Sequence, residues 1–473
     1  MSQNTIITKS DYLAYLDAPR HLWAAKHTVE QLPLDPLAQH QMEDGKRVEK
    51  LAYDYLAEWV KSRPACRLLY QQSFSDGPYN ARVDFLIHDT QTDTYELIEV
   101  KSSTEVKKDH IPDLAFQFAI LQNQVQISKC IVMHLNKDYR RHGNLEISEL
   151  FTLSDVTDEV RNAVLDVILL RPEALRAAQL EDYSEAAHCL KPRDCPYPNL
   201  CHADLPEQSI YDVPYLMARK KQALLDIGAL SIHDIPSDFA LSESQRRVVD
   251  CAQQNRVHID HAQLKHAIDS LEYPLWFLDY ESCISAIPLF DGHWPQQQIL
   301  FQYSLHKIAF PGAKLEHFAF LSFEPGNPIP ALMASLRENL GNGGSIIVWN
   351  KNFETTRHKE LMELYPEHSA YLDNVNNRIF DLMDIVSKHM YYDPRFNGRY
   401  GLKYVLPVLV PELSYEDMPI NIGTKASVAW WQMNAGLISD DALTEVRQNM
   451  LDYCHLDTLA MVRLLAFFQS VLE

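Results

Sequence analysis

Acidic side chains recur along this 473-residue chain at spacings that metal chemistry can use. Asp84 lies in a strand-like run, Ala81 to His88, and Glu99-Val100-Lys101 follows in a second run, ELIEVKSS. Alternation along a strand sends Glu99 and Lys101 to one face and Val100 to the other. Two carboxylates and a lysine on one sheet face suit a divalent ion. Hard carboxylate oxygens hold Mg²⁺ or Mn²⁺, while the ammonium steadies an attacking water or the charge that develops. The plainer alternative is a surface strand with an ion pair. Glu43, in Glu43-Asp44-Gly45, adds an acid on a helix upstream, and Gln117 lies on a helix downstream of Lys101.

A second acidic set lies in the C-terminal half. Asp279-Tyr280-Glu281 ends the strand-like Trp276 to Leu278, and residues two apart on a strand share a face. Val348-Trp349-Asn350-Lys351-Asn352-Phe353-Glu354 is a strand leaving into a helix, with Glu354 as its acid. Asp381 is a further acid nearby, better suited to a structural cap. An apolar terminal helix then carries Tyr453 and Asp457, four apart and so neighbours on one face.

Soft ligands form a third group. Cys189, Cys195 and Cys201 are evenly spaced among prolines in a segment without periodicity, residues 188–202, flanked by His188 and His202. Turns of this kind let thiolates converge on a metal. The alternative is a loop without metal. The other cysteines show no ligand spacing and read as small buried hydrophobes.

The helix acid, Asp84, Glu99-x-Lys101 and Gln117, in that order, resemble the PD-(D/E)XK nucleases of the RecB and CRISPR-adaptation type. Arg82-Val83 precedes Asp84, so the proline of that family's name is absent. The resemblance implies a restriction-endonuclease-like domain over roughly residues 8–203. In that family three such cysteines join a fourth, from an N-terminal C-P-R segment, around a four-iron cluster. Here Ala18-Pro19-Arg20 puts alanine in its place. The resemblance therefore leaves open a 4Fe-4S cluster, Zn²⁺, a His188 or His202 ligand, or no metal.

The order D-x-E, N-x-x-F-acid and Y-x-x-x-D resembles the DnaQ-like 3′–5′ exonucleases of the DEDDy subclass, on an RNase H-like fold. By that resemblance Asp279, Glu281, Glu354 and Asp457 hold two Mg²⁺ or Mn²⁺ ions and Tyr453 orients the attacking water. Glu354 stands where the superfamily commonly has Asp. The whole resembles a bacterial domain-of-unknown-function family in which the two nuclease domains are fused.

The elements needed to position these residues are legible as an α/β pattern. Helical spacing dominates residues 9–62, strands follow, and a helix from about Asp113 to Asn123 precedes a strand at Lys129 to Leu135. A second α/β unit begins near Pro274. This predicts a PD-(D/E)XK domain over 1–204, a helical linker over 205–271 and an RNase H-like domain over 272–473. Within the linker, Leu224 to Ile235 resembles a helix-hairpin-helix, which grips phosphates through backbone amides; plain packing is the competing reading.

Composition sets the outer limits. Hydrophobic residues make up 46% and charged residues 23%, which excludes disorder and fibrous repeats. Eight cysteines are too sparse for a disulfide framework, and no leader or membrane-spanning run is visible, so a cytoplasmic protein is expected. A net charge of −21 argues against a non-specific coat on nucleic acid. An enzyme that collects carboxylates in its sites remains compatible with that charge. The expectation is a metal-dependent DNA nuclease with two active sites. An RNA-processing exonuclease and a scaffold with one inactive site are the alternatives.

Overall fold

A computed structural model describes residues 5–473 as a mixed α/β protein. The described residues form two compact units: those up to Asp204 together with Ser285–Gln297, and Leu205–Ile284 together with Gln298–Glu473. The 205–271 segment, predicted as a linker, thus falls within the second unit. Ser285–Gln297, predicted to belong to the second α/β unit, is an excursion that packs into the first.

The first unit begins with helices α1 (Lys9–Asp17), α2 (Pro19–Lys26) and α3 (Pro36–Lys61). Its main sheet runs in chain order: β1 (Cys66–Tyr70), β2 (Phe85–Asp89), β3 (Thr94–Lys101), β4 (Gln126–Leu135) and β5 (Phe151–Asp155). Only β3 and β4 pair in parallel, across helix α4 (His110–Leu121). Strand alternation sorts the core. Phe85, Ile87, Ile98, Ile131 and Met133 pack with Val48, Ala52 and Leu56 of α3. Leu86, Leu97 and Val132 pack on the opposite face with α4.

The strand predicted over Ala81 to His88 is two strands. Tyr79–Arg82 pairs with Ser73–Asp76 and Ile7–Thr8 in a separate small sheet, whereas β2 pairs with β1 and β3. The chain changes sheets at Val83-Asp84, so Asp84 sits at a bend rather than within a strand.

In the second unit, helices Ala218–Asp226, Glu243–Gln254 and His261–Asp269 lead into a five-stranded sheet. The second arm of the helix-hairpin-helix expected near Leu224 to Ile235 is only a three-residue 3-10 turn, Ile232–Asp234. Leu224, Ile232 and Ile235 are all buried, consistent with packing.

That sheet contains β6 (Leu275–Ile284), β7 (Gln298–Ile308), β8 (Glu316–Leu321), β9 (Ile346–Val348) and β10 (Ile379–Asp381), in the spatial order β8-β7-β6-β9-β10. The first three form an antiparallel meander; β9 and β10 extend it in parallel. β6 continues through Asp279 and Glu281 to Ile284, beyond the predicted end at Leu278, with a register irregularity just after Glu281. Helix α5 (Lys351–Leu364) follows β9, and the terminal helix α6 (Asp440–Ser470) covers the face that carries Asp279 and Glu281.

Gly344 leads into β9. Its φ is +81°, and a Cβ there would lie 1.9 Å from the Pro274 carbonyl oxygen. Gly436 is also left-handed, at +68°, but a Cβ would meet nothing within 4 Å. Gly436→Ala should cost about 1 kcal/mol from backbone strain alone. Gly344→Ala should cost roughly 3 kcal/mol or more, because backbone must also move. Urea midpoints of the two variants test the difference.

Candidate functional site

The first unit gathers its charged residues on the α4 face of β3. Glu99 and Lys101 share that face, and the Lys101 ammonium meets Glu99 Oε1 at 2.8 Å and Asp113 Oδ2 at 2.6 Å. Gln117, one helical turn beyond Asp113, donates to Glu99 Oε2 at 2.8 Å and to Asp113 Oδ1 at 3.0 Å. Lys9, at the start of α1, adds a second ammonium 2.7 Å from Glu99 Oε1. Asp84, at the sheet change, accepts from the Val100 amide at 2.9 Å.

The electrostatics separate the two acids that sequence pairs. Burial works to raise the Glu99 pKa, but Lys101 and Lys9 outweigh it and hold the group down at about 2. Burial, with repulsion from Glu99, pushes Asp84 up to about 7. Asp84, partly protonated near neutral pH beside a fixed Glu99 carboxylate, is poised to lose its proton when a cation binds. Beside it, Lys9, Asn80, Arg82 and Thr8 line a cleft that reaches Asp84 and offers two cations to an anionic ligand.

Two sequence expectations shift here. Glu43 is exposed on α3. Glu49, on the same helix, is the acid whose charge bears on Asp84, and it accepts from Gln71 at 2.7 Å. Asp44 is buried and accepts from the Ala286 amide of the excursion at 3.0 Å. Asp113 and Lys9 were missed. Asp113 had a signal, its i,i+4 spacing to Gln117; Lys9, ninety residues from Glu99, had none.

The second unit brings Asp279, Glu281 and Asp457 together, with one oxygen of each within 4.8 Å of the others. β6 supplies the first two and α6 the third. Glu354 sits in the first turn of α5 and is 1% exposed, its Oε2 lacks a hydrogen-bond partner, and its charge acts on Asp279. Burial raises all four acids, and mutual repulsion adds to this for Asp279 and Glu281. Glu281 and Glu354 reach about 8, and Asp457 about 6. Such a hard-oxygen set with an orphaned buried carboxylate oxygen fits divalent-cation binding.

Tyr453 faces Asp457 across one helical turn. Tyr415 was missed: its hydroxyl donates to Asp457 Oδ1 at 2.6 Å. Lys403 was missed too; burial lowers its pKa, and the three carboxylates pull against that shift. Lys403 lies in the first turn of the helix Leu402–Leu409 and Tyr415 in an irregular stretch, and neither is part of a chemical pattern in the sequence. Gly423 borders the site: a Cβ there would stand 3.4 Å from Glu281 Oε2, in ordinary contact. Asp381 accepts from the amides of Asn350 and Lys351 at 3.0 Å each, so it caps α5.

The cysteine segment closes on a ligand that sequence did not nominate. His21, Cys189, Cys195 and Cys201 offer donors all within 4.8 Å of one another. His21 Nε2 lies 3.3 Å from Cys195 Sγ, and its Nδ1 lies 2.7 Å from Asp17. Ala18 is buried in the same cluster, and His21 is one turn further along the chain. His202 contacts Cys189 Sγ at 3.2 Å without belonging to the four-donor set, and His188 turns its Nδ1 to the Cys189 carbonyl. Hydrogen bonds from Cys201, His202 and His21 push the Cys189 thiol far down. Donors around one tetrahedral zinc, about 2.3 Å from each sulfur, stand roughly 3.8 Å apart. This S₃N set fits Zn²⁺, with Asp17 orienting the imidazole.

Two outcomes follow from these geometries. A carboxyl with a higher pKa folded than unfolded keeps an extra proton in the native state. Its contribution to stability is intact below the unfolded value near 4 and fades as pH rises through the folded value. Metal-free protein should therefore lose Tm between about pH 5 and pH 8, and stabilisation by Mn²⁺ should grow over the same interval. Thermal melts across that range with and without Mn²⁺ check this; a flat metal-free profile contradicts it. At the thiolate cluster, His21→Ala should lower bound zinc in purified protein, whereas His188→Ala should not. Elemental analysis finding neither iron nor zinc in the wild type would remove the metal from this cluster.

Comparison with known proteins is sparse. Residues 276–401 match a family described as a domain of unknown function (DUF2779). An uncharacterized protein of Mycoplasma genitalium is 24% identical over 229 residues, which is 45% of this chain and 34% of that protein. An uncharacterized protein of Ureaplasma parvum is 25% identical over 218 residues, 42% of this chain and 31% of its own length. The matched region thus spans about a third of each relative. No solved structure matches.

Proposed function

We propose that the protein is a metal-dependent nuclease with two active sites, a PD-(D/E)XK site in the first unit and a DEDDy 3′–5′ exonuclease site in the second, acting on DNA. The observation that carries this reading is the convergence of Asp279, Glu281 and Asp457 beside the buried Glu354 and Tyr453. The antiparallel meander extended by parallel strands supports an RNase H-like domain. The first site supports the reading through the grouping of Glu99, Lys101 and Gln117 near Asp84.

Mg²⁺ or Mn²⁺, when bound, would neutralise phosphate charge and acidify a water. In the second site Asp279, Glu281, Glu354 and Asp457 would hold the ions. Tyr453 orients the attacking water, and Tyr415 fixes the rotamer of Asp457. In the first site Lys101 steadies developing charge while Gln117 holds Glu99 in place. Arg82 and Lys9, which line the cleft beside Asp84, offer local phosphate contacts in a chain of net charge −21. The free thiols suit a reducing compartment such as the cytoplasm. Among the described residues no helix is long and apolar enough to cross a membrane.

Digestion of end-labelled single- and double-stranded DNA and RNA in Mg²⁺ or Mn²⁺ tests the proposal, with RNA as the competing substrate. Lys101→Ala should abolish one activity and leave 3′ trimming; Asp279→Ala should do the reverse. Loss of every activity in either folded variant would refute independent sites. Within the second site, Asp457→Asn should remove nearly all turnover. Tyr453→Phe should keep metal binding and slow single-turnover trimming by roughly 10²-fold, the size of one positioning group. An unchanged rate would take Tyr453 out of the chemistry.

A further inference from the structure

A group of imidazoles lies on the sheet of the second unit, outside the four acids. His306 on β7 and His317 on β8 are cross-strand partners, and His455 reaches them from α6. Their ring centroids are 4.5 to 4.8 Å apart, and one ring nitrogen of each lies within 4.8 Å of the others.

Hydrogen bonds fix two of the rings. His306 Nδ1 lies 2.8 Å from Thr458 Oγ1, Thr458 Oγ1 lies 2.7 Å from Ser304 Oγ, and Ser304 Oγ lies 2.9 Å from His317 Nε2. Thr458 Oγ1 is also 3.1 Å from the His455 carbonyl, which can only accept. One proton assignment uses every hydroxyl. Thr458 donates to that carbonyl, Ser304 donates to Thr458, and the two imidazoles donate to the hydroxyls. It leaves a lone pair on His306 Nε2 and another on His317 Nδ1. This is the outer-shell pattern that sets tautomers in imidazole–metal sites. Burial holds His306 down at about 3 and His317 at about 4, so both rings are neutral at working pH.

We propose that His306, His317 and His455 form a site for a late first-row divalent cation of the zinc class, distinct from the carboxylate cluster. Three imidazoles favour such an ion over Mg²⁺, which prefers hard oxygens. His317 is exposed, so the ion has a route of entry and a fourth position open to water. The ion ties α6 to the β7–β8 hairpin. The same helix carries Tyr453 and Asp457, so the site is a brace for the helix that completes the acidic cluster. The assignment does not depend on what that cluster catalyses.

The test uses the full chain, freed of metal by chelator dialysis and titrated with Co²⁺ alone. Wild type should show a cobalt component free of thiolate charge transfer that persists in Asp279→Asn. His317→Ala should lower the bound cobalt by one equivalent per chain, and His317 is exposed enough for the fold to tolerate the change. His317→Cys should restore that equivalent and add thiolate charge-transfer intensity beyond that of the Cys189 cluster. Equal cobalt binding in wild type and His317→Ala, or no added band in His317→Cys, overturns the assignment.

Discussion

Carboxylates brought together away from water repel one another, and each unit of this protein answers that constraint differently. At about 4.8 Å and an effective dielectric near 20, two ionised acids repel by roughly 3 kcal/mol. In the first unit Lys9 and Lys101 lie against Glu99 and Asp113, so the charge is largely balanced by the chain itself. In the second unit the half-buried Lys403 is the cation that acts on Asp279, Glu281 and Asp457, helped by the hydroxyls of Tyr415 and Tyr453 at Asp457 and the Cys454 thiol at Asp279. The first arrangement is nearly complete without a metal. The second is under tension that either protons or cations relieve.

That contrast shapes the surrounding structure. Asp279 and Glu281 sit on β6, the central strand of the five-stranded sheet, and Asp457 on the long terminal helix that packs on it, so repulsion cannot simply push them apart. Phe277, Leu278, Ile347 and Leu464 of the same elements and their neighbours are buried, and such burial contributes on the order of 2 kcal/mol per side chain. The apolar core thus offsets the strain of the acidic cluster. Asp381 adds to this by capping α5, which keeps Glu354 in its first turn.

How far the sites were legible in the sequence follows from the range of the interactions. Asp279 with Glu281 and Tyr453 with Asp457 are local spacings, and strand or helix periodicity places each pair on one face. Glu43 shows where periodicity needs more. On α3 the buried stripe is Asp44, Val48, Ala52 and Leu56. Glu43 precedes that stripe by one position and Glu49 follows Val48 by one, so they flank it on opposite sides. Only the packing of α3 on the sheet decides which flank meets Asp84. Asp84 itself was placed in a strand because both halves of its run look alike; the switch between two sheets has no compositional mark. His21 stands one helical turn beyond Ala18, and no spacing in the sequence ties it to the cysteines far downstream. Lys9, Lys403 and Tyr415 are joined to their sites only by long-range folding.

The excursion Ser285–Gln297 bears on how this chain can be divided. Its Ala286 and Ile287 complete a core of the first unit, its Ala286 amide satisfies buried Asp44, and the carbonyls of Pro288 and Leu289 accept from Arg141 at 3.0 and 2.9 Å. The segment is spliced between β6 and β7 of the other unit's sheet. The first unit is therefore discontinuous in sequence: ribosomal synthesis supplies its last piece only after the start of the second sheet has emerged. A gene cut after Asp204 would encode a first unit whose core lacks Ala286 and Ile287.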